Sequence, residues 1–299
     1  MRYAHHLGLF GLVMACGIFP TLASAQPSTG EAPTRPGQHR VSGEFDFYHS
    51  GVYSSAFLGP AIYARFRLYD ARAGMAVLSG ENGFVVDLDA AWRGVGLVGD
   101  VSEFRMGNPF VGLRIGTDGE AFTARAGLGV TLPLTNAYDD MSFDVLALYL
   151  VGIGTHGVWD LELVTPQTVA LMLTGDTQLR SSMFMAGGDA GFTTLFSVPR
   201  DGPAGDPDLV LKLGVYGAVT PIPQLAVGLR FQMVTLINTG GVGARSGEEG
   251  YLALAPFVRV LLGPAFAELR LWMNLDDPYG FAFDEGKFWS LALSGGINF

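Results

Sequence analysis

The chain has 299 residues, of which 49% are hydrophobic and only 15% charged, whereas soluble domains usually carry about 25% charged residues. This composition excludes intrinsic disorder, which requires low hydrophobicity and a high density of charge. The net charge of −10 disfavours nucleic acid as a partner, because phosphate binding needs a clustered basic surface. Past the N-terminus no apolar run reaches the roughly 18 residues of a membrane-spanning helix.

Residues 1–25 have the features of a cleaved secretory signal peptide. Arg2 supplies a positive start, an apolar centre runs from Leu7 to Phe19, and a small-x-small cleavage site ends at Ala25. The alternatives are an uncleaved membrane anchor and a lipoprotein signal that ends before Cys16. We favour cleavage, followed by a flexible leader over 26–39 that is rich in proline, glycine and polar residues. The mature chain would then hold no cysteine, and therefore no disulfide and no thiolate metal site.

From residue 40 to the C-terminus, hydrophobic residues recur at every second position. In the clearest stretch, Leu225, Val227 and Leu229 alternate with small or polar residues, which indicates a strand with one apolar face. A β-sandwich also alternates, but the small and charged polar faces and the strand length of about 10–13 residues favour membrane-spanning strands. Twelve segments show the pattern: 41–48, 56–69, 84–95, 108–116, 121–134, 168–180, 183–197, 208–219, 224–237, 250–262, 265–275 and 287–299.

Short and long connections alternate along the C-terminal half of the chain. Gly263-Pro264 is a tight turn, whereas the loops 239–249 and 276–286 are longer and richer in glycine and acidic residues. Up-and-down barrels of the outer membrane have this arrangement, with short periplasmic turns and longer external loops. Within lipid every backbone polar group must be paired by the protein itself, and a sheet achieves this by closing. The sequence therefore predicts an all-β, up-and-down transmembrane antiparallel β-barrel of about twelve strands over 40–299, as a single domain.

The C-terminal segment FWSLALSGGINF resembles the last strand of bacterial outer-membrane β-barrel proteins, with alternating apolar residues and a terminal aromatic residue, Phe299. The resemblance implies that this strand is the signal for the barrel-assembly machinery and that the protein resides in the outer membrane of a Gram-negative envelope. A looser similarity, through ARAGLGVTLPLT at 124–135, links the chain to transporter-like barrels associated with aromatic-compound degradation.

Charged residues at inward positions of the predicted strands are candidates for a selective lumen. We expect Arg114, Arg125, Arg230 and Arg259 to face acidic residues and to create a field across the pore. The alternative is a set of ion pairs that fills a narrow interior without conducting. The full set of lumen candidates is Arg65, Arg67, Asp87, Asp89, Arg93, Arg114, Arg125, Lys212, Arg230, Arg259, Glu268 and Arg270.

The segment 138–166 interrupts the strand pattern. Asp139 or Asp140 can cap a helix that starts at Met141, and the apolar spacing predicts a short helical insert near 139–153. This insert follows a strand that runs outward, so it could fold into the mouth of the barrel as a plug or gate. The alternatives are a helix at the membrane interface and a misread pair of strands.

The best functional interpretation is a porin-like channel for passive movement of small solutes across the outer membrane. One alternative is a non-conducting barrel with a structural or surface-recognition role. A membrane-embedded hydrolase is a weaker alternative, because only His49 and His156 could serve as its base within the predicted barrel. The expected partners are outer-membrane lipid, the barrel-assembly machinery and small solutes; no cofactor, metal site or catalytic residue is expected.

Overall fold

The protein is all-β, and its strands follow one another as antiparallel neighbours in a single up-and-down sheet. The structure, a computed structural model, describes residues 39–50, 57–70, 84–97, 103–118, 121–134, 152–154, 156–198, 206–238, 250–276 and 288–298. The strands are β1 (His39–Ser50), β2 (Phe57–Asp70), β3 (Phe84–Leu97), β4 (Glu103–Met106), β5 (Phe110–Asp118), β6 (Phe122–Thr131), β7 (Thr168–Arg180), β8 (Phe184–Ser197), β9 (Asp208–Ile222), β10 (Leu225–Asn238), β11 (Gly250–Leu262), β12 (Ala265–Asn274) and β13 (Phe288–Asn298). A single turn of helix, α1 (Leu161–Val164), lies between β6 and β7.

Each of the predicted strand segments coincides with an observed strand. The one addition is β4, which lies between the predicted segments 84–95 and 108–116 and pairs with the last residues of β3. Strand β5 pairs with the first part of β3, so β4 and β5 lie one after the other along the same edge of β3. The first strand, β1, pairs with the last strand, β13, within this order, and one additional pairing joins β2, at one edge of the order, to β3.

Side-chain exposure alternates along the strands, but here apolar side chains lie on the exposed face and polar side chains such as Gln232 and Glu268 are buried, the reverse of the usual arrangement in a soluble protein. On the exposed face, Leu113 is 58% exposed and Leu173 is 57% exposed. On the opposite face, Gln232 is 0% exposed and Glu268 is 2% exposed. A strand sends successive side chains to opposite faces, so β5 to β13, as far as their side chains are described, present many leucine, valine and phenylalanine residues outward, while polar, small and some large apolar residues lie on the buried face.

The short turns share one end of the sheet. They are 119–121, 181–183, 223–224 and 263–264, and we call this the short-turn end. The connections that follow β6, β8, β10 and β12 lie at the other end, the long-loop end. At the short-turn end Gly263 has φ +66, a left-handed conformation that glycine adopts without a Cβ clash.

The sheet curves around the segment that connects β6 to β7. This segment bonds to Asn274 on β12 at Gly154 and to Asn108, just before β5, at Leu163. In a flat sheet seven strand spacings would separate β5 from β12 by about 34 Å. The two contacts of the segment, at Gly154 and Leu163, are nine residues apart in sequence. Nine residues reach at most about 30 Å when fully extended, and this stretch is shorter because it contains turns and part of α1. Only a strongly curved sheet brings both contacts within reach.

The hydrophobic core lies inside this curve, near the long-loop end. Val158, Leu163 and Val164 of the connecting segment are 1–3% exposed and pack in one cluster with strand residues such as Val210 and Val234. Burial of such a side chain contributes about 1.5–3 kcal/mol. An isolated four-residue helix is unstable in water, so α1 depends on this packing. No helix in the described part of the chain is long and apolar enough to cross a membrane.

Candidate functional site: the buried face and the docked insert

The polar residues of the buried face form ion pairs that reach over a glycine on the strand between them. Arg230 on β10 and Asp189 on β8 make a bidentate pair, with Nη1–Oδ1 and Nη2–Oδ2 distances of 2.9 and 2.7 Å. Gly214 on β9 lies between them, and a Cβ there would stand 2.6 Å from the Arg230 Nη2. The missing side chain at Gly214 provides the space in which this pair forms.

A second pair has the same arrangement. The Arg114 guanidinium on β5 forms an ion pair with Asp176 on β7, and Gly127 on β6 lies between the two strands. A Cβ at Gly127 would stand 2.9 Å from the Arg114 Cγ. The buried face thus uses glycine on an intervening strand to bring together charges that are two strands apart.

A third cluster joins two arginines to one carboxylate. Arg259 on β11 donates its Nε–H to Glu268 on β12 at 2.7 Å, and Arg270 donates to the other oxygen of the same carboxylate. The carboxylate side chain is 1% exposed, whereas those of Arg259 and Arg270 are 13% and 19% exposed. Phe257 and Trp272 line the cluster, with the Arg270 guanidinium 5.7 and 5.2 Å from their ring centroids.

The connecting segment between β6 and β7 is bound to the buried face by side chains of the strands. We call its residues 152–154 and 156–165 the docked insert. Gln232 on β10 donates to the carbonyl oxygens of His156 and Gly157 at 2.5 and 3.2 Å. Gly157 has φ +61, and a Cβ there would stand 2.5 Å from the Cβ of Ala253 on β11. The insert therefore approaches the sheet at a position that only glycine can occupy without strain.

A buried ion pair also connects the docked insert to the sheet. Lys212 on β9 forms an ion pair with Glu162 of α1 and also donates to the Trp159 carbonyl oxygen at 2.5 Å. Burial raises the pKa of the Glu162 carboxyl above its usual value, although the Lys212 ammonium group opposes the shift. The Trp159 ring lies 4.8 Å from the Arg230 guanidinium, which links the insert to the Arg230–Asp189 pair.

The other side of the docked insert is held by Asn108, which is 0% exposed. Its side-chain amide donates to the carbonyl oxygens of Glu162 and Thr165 at 3.2 and 2.6 Å. Its backbone N–H donates to the Leu163 carbonyl oxygen at 2.6 Å. Three carbonyls at the end of α1 thereby find partners, as buried backbone groups require.

His156 lies within the docked insert and contacts both the insert and the sheet. Its Nδ1 is 2.5 Å from an Asp160 carboxylate oxygen, and its ring centroid is 5.6 Å from that of Trp272 on β12. These contacts orient the imidazole and help to fix the insert. Within the described part of the chain, no group of three or more His, Cys, Asp or Glu residues could hold a metal ion.

The structure places the described lumen candidates on the buried face. They are Arg114, Arg125, Lys212, Arg230, Arg259, Glu268 and Arg270. Arg259 and Glu268 are register partners on neighbouring strands, so they pair along the wall rather than across an opening. The backbone register likewise aligns Asp87 with Arg114 and Arg67 with Asp89. The side chains of Arg65, Arg67, Asp87, Asp89 and Arg93 lie outside what the structure describes.

Several residues that build the site were missing from the predicted set. The side chains that were missing and that form hydrogen bonds or ion pairs described above include Asp189, Glu162, Asn108 and Asn274. Asp189 lies at one of the alternate positions of β8 that face inward, so the alternation along this strand could have identified it. Of the helical insert predicted near 139–153, residues 139–151 lie outside the described residues, as do residues 1–38, the side chain of His49 and Phe299.

Comparisons with known proteins identify the fold. No family model matches the chain, and no curated protein matches it in sequence. An outer membrane channel from Pseudomonas putida F1 is similar in structure, with a TM-score of 0.54 and 10% identity, over 93% of this chain and all of that chain. The chain has the fold of an outer-membrane β-barrel protein. The predicted resemblance to this class is confirmed at the level of fold.

Two further solved structures have lower scores. The NanC porin has a TM-score of 0.46 and 9% identity, over 87% of this chain and 98% of that chain. The toluene transporter TodX from Pseudomonas putida has a TM-score of 0.39 and 11% identity, over 91% of each chain.

Proposed function

We propose that the sheet closes into a twelve-strand barrel that spans the outer membrane. The pairings of β1 with β13 and of β2 with β3 support closure, because with them the twelve long strands form a ring and β4 adds only to the edge of β3. The apolar exposed face supports a hydrocarbon environment. A closed ring satisfies the backbone groups that an open edge would leave unpaired in lipid.

The proposed route to the membrane starts with the signal peptide at 1–25, which is removed after export. The last strand, β13 with Phe299, is then the segment that the barrel-assembly machinery binds. Outer-membrane lipid is the partner of the exposed leucine, valine and phenylalanine side chains. This location accounts for a surface that would aggregate in water.

Within this barrel we propose a channel for passive movement of small solutes, narrowed by the docked insert. The observation that carries the proposal is the buried ion pair between Lys212 and Glu162, because it fixes a loop segment inside a polar interior. A purely structural barrel needs no charged interior, and filling it with apolar side chains would avoid the desolvation cost of buried charge. A charged wall of this kind is typical of pores that act on ions and polar solutes.

A second candidate is a non-conducting barrel. It is favoured by one observation, the close packing of Val158, Leu163 and Val164 of the insert against the strands, which fills the interior near the long-loop end. In this case the long loops would carry the function at the surface.

Planar-bilayer recording of the refolded full-length protein tests the two candidates. We expect discrete current steps that are small compared with those of sixteen-strand porins, because twelve strands enclose a narrower interior. The control is the same preparation denatured by heat before addition. A complete absence of steps from correctly folded protein, and also from a variant whose insert is released, would exclude the channel and leave the non-conducting barrel.

A further inference from the structure

Left-handed backbone conformations cluster in the connection between β6 and β7. In the part of the chain that the structure describes, two residues other than glycine have a positive φ, Val158 at +65 and Gln167 at +48. Such residues rarely adopt this conformation because the Cβ approaches a carbonyl oxygen, and for a β-branched residue such as Val158 it is an outlier. Val158 lies three positions before the start of α1 and Gln167 three positions after its end. The backbone is therefore strained on both sides of α1.

The position of α1 is set on one side by a β-bulge between β4 and β5. Both strands pair with β3, and the three residues 107–109 lie opposite only two residues of β3, 92–93. An extra residue of this kind redirects the side chains of the bulged strand. Met106 is 62% exposed, whereas Asn108, two residues later, is 0% exposed. The bulge thus turns Asn108 towards the interior, where its amide binds carbonyl oxygens at the end of α1.

The other side of α1 and both ends of the connection are fixed as well. The buried ion pair with β9 holds α1 from the opposite side. Before α1, Asn274 on β12 donates to the Gly154 carbonyl oxygen at 3.0 Å. After α1, the Gln167 carbonyl oxygen accepts the Val198 N–H at 2.8 Å. The residues between these fixed points must adopt whatever conformation connects them, which is the condition under which strained residues persist.

Burial of side chains opposes this strain. The Val158 side chain is 2% exposed and packs in one cluster with Leu163 and Val164 of α1. Release of the insert would lose this burial, but it would also let Val158 and Gln167 return to an ordinary backbone conformation. The two contributions are similar in size, because the burial of one such side chain and the strain of one left-handed residue are of the same order. A small difference in free energy between two states is what a conformational switch requires.

We propose that the docked insert is a strained gate, which opens when Val158 and Gln167 relax and the insert leaves the buried face. The proposal rests on the proposed function, because a gate requires a pore. The two strained positions are the hinges, since a hinge consists of a few residues that absorb a change in backbone dihedral angles. The docked insert narrows the interior near the long-loop end, and the released insert clears it. The channel therefore alternates between a narrow and a wide state.

Replacement by glycine and by alanine separates backbone strain from the loss of a side chain. Gln167→Gly relieves the strain, whereas Gln167→Ala removes the same side-chain contacts and keeps the strain. We expect chymotrypsin to cleave after Trp159 about fivefold more slowly in the glycine variant, because relief of strain exceeds the extra freedom of glycine in the released state. Val158→Gly and Val158→Ala should differ in the same direction. Cleavage of the refolded, lipid-reconstituted full-length protein is measured at low protease concentration, where the rate follows the population of released insert.

Thr165 provides the matched control, because it lies in the same connection with an ordinary φ of −69. There the order should be reversed, and Thr165→Gly should be cleaved about threefold faster than Thr165→Ala. Glycine variants that are cleaved as fast as the alanine variants, or faster, at both Val158 and Gln167 would overturn the proposal. If the Val158 variants do not fold, the Gln167 pair alone decides, since this residue is only partly buried.

Planar-bilayer recording connects the strain to conduction. We expect Gln167→Gly to spend about fivefold less time in the wide state than Gln167→Ala, in line with the cleavage rates. Equal times in the wide state, in variants whose cleavage rates differ, would show that the insert moves without gating the pore and would overturn the gate. Folded protein that never conducts contradicts the proposed function itself, whereas conducting variants with equal cleavage rates contradict only the strained gate. The two failures are therefore distinguishable.

Discussion

Lys212 on β9 and Glu162 in α1 form an ion pair in which the two side chains are 3% and 4% exposed. The residues are separated by 50 positions in sequence, and their contact fixes the connection between β6 and β7 against the buried face. Removal of one partner from such a pair costs about 3–5 kcal/mol, because an uncompensated charge stays buried. Substitution of one partner alone is therefore expected to weaken the attachment of the insert to the sheet.

Lys212→Met should release the docked insert, since the Glu162 carboxylate would remain in the interior without its partner. We expect chymotrypsin to cleave the folded variant after Trp159, a site that the packed insert protects in the parent protein. The double variant Lys212→Met/Glu162→Gln removes both charges and should recover most of the protection. Equal cleavage of the single and double variants would show that the ion pair does not hold the insert.

Acid should strengthen the docking of the insert. Because burial raises the pKa of Glu162 in the docked state above its value in the released state, the docked state binds a proton more tightly. The stabilisation of the docked state by protonated Glu162 is fully present below the ordinary pKa of a glutamate and is lost as the pH rises through the raised pKa. Chymotrypsin protection should therefore decrease from acid towards neutral pH, and this slope should be smaller in Glu162→Gln. An identical slope in both proteins would assign the pH dependence to another group.

Gly157→Ala should open the channel. A Cβ at this position meets the Ala253 Cβ at 2.5 Å, and the left-handed backbone conformation costs a further 1–2 kcal/mol or so for a residue other than glycine. We expect larger or more frequent current steps in planar bilayers. The control is Gly175→Ala on β7, where the nearest atom to an added Cβ is 3.7 Å away. Current unchanged by Gly157→Ala would mean that the insert does not obstruct the pore.

Gly214→Ala should disrupt the Arg230–Asp189 pair, because the added methyl group would occupy the space through which the two side chains meet. Loss of charged hydrogen bonds of this kind costs about 1.5–3 kcal/mol. Gly191→Ala on β8 is the matched control, with an added Cβ at 3.6 Å from the Lys212 Cβ. The variant should unfold at lower denaturant concentration than the control, as measured by tryptophan fluorescence. Equal denaturation midpoints for the variant and the control would indicate that the Arg230–Asp189 pair shifts without a loss of stability.

The strands could be predicted from sequence because alternation is a local property. The pattern in segments such as 224–237 matches β10 to within a residue at each end. The inward positions of Arg114, Lys212 and Arg230 followed from the same parity. One strand, β4, was missed because four residues are too few to show alternation.

The partners of these residues could not be predicted, because they depend on register and curvature. Asp189 and Arg230 are 41 positions apart and lie two strands away from each other, so their contact requires both registers and the glycine between them. The docked insert depends on the curvature of the whole sheet. Its single turn of helix at 161–164 has no side-chain cap and no long apolar repeat, so its sequence gives no local signal of where it packs.

The central claim is that the apolar face of the strands contacts hydrocarbon and the polar face encloses the interior. Spin labels introduced singly along β7 in a Cys16→Ser background test it in refolded, lipid-reconstituted protein. Labels at Leu171, Leu173 and Leu179 should be accessible to oxygen dissolved in the bilayer, and labels at Met172, Thr174 and Gln178 should not. Loss of this alternation, or high accessibility of the leucine positions to a water-soluble nickel complex, would contradict the account.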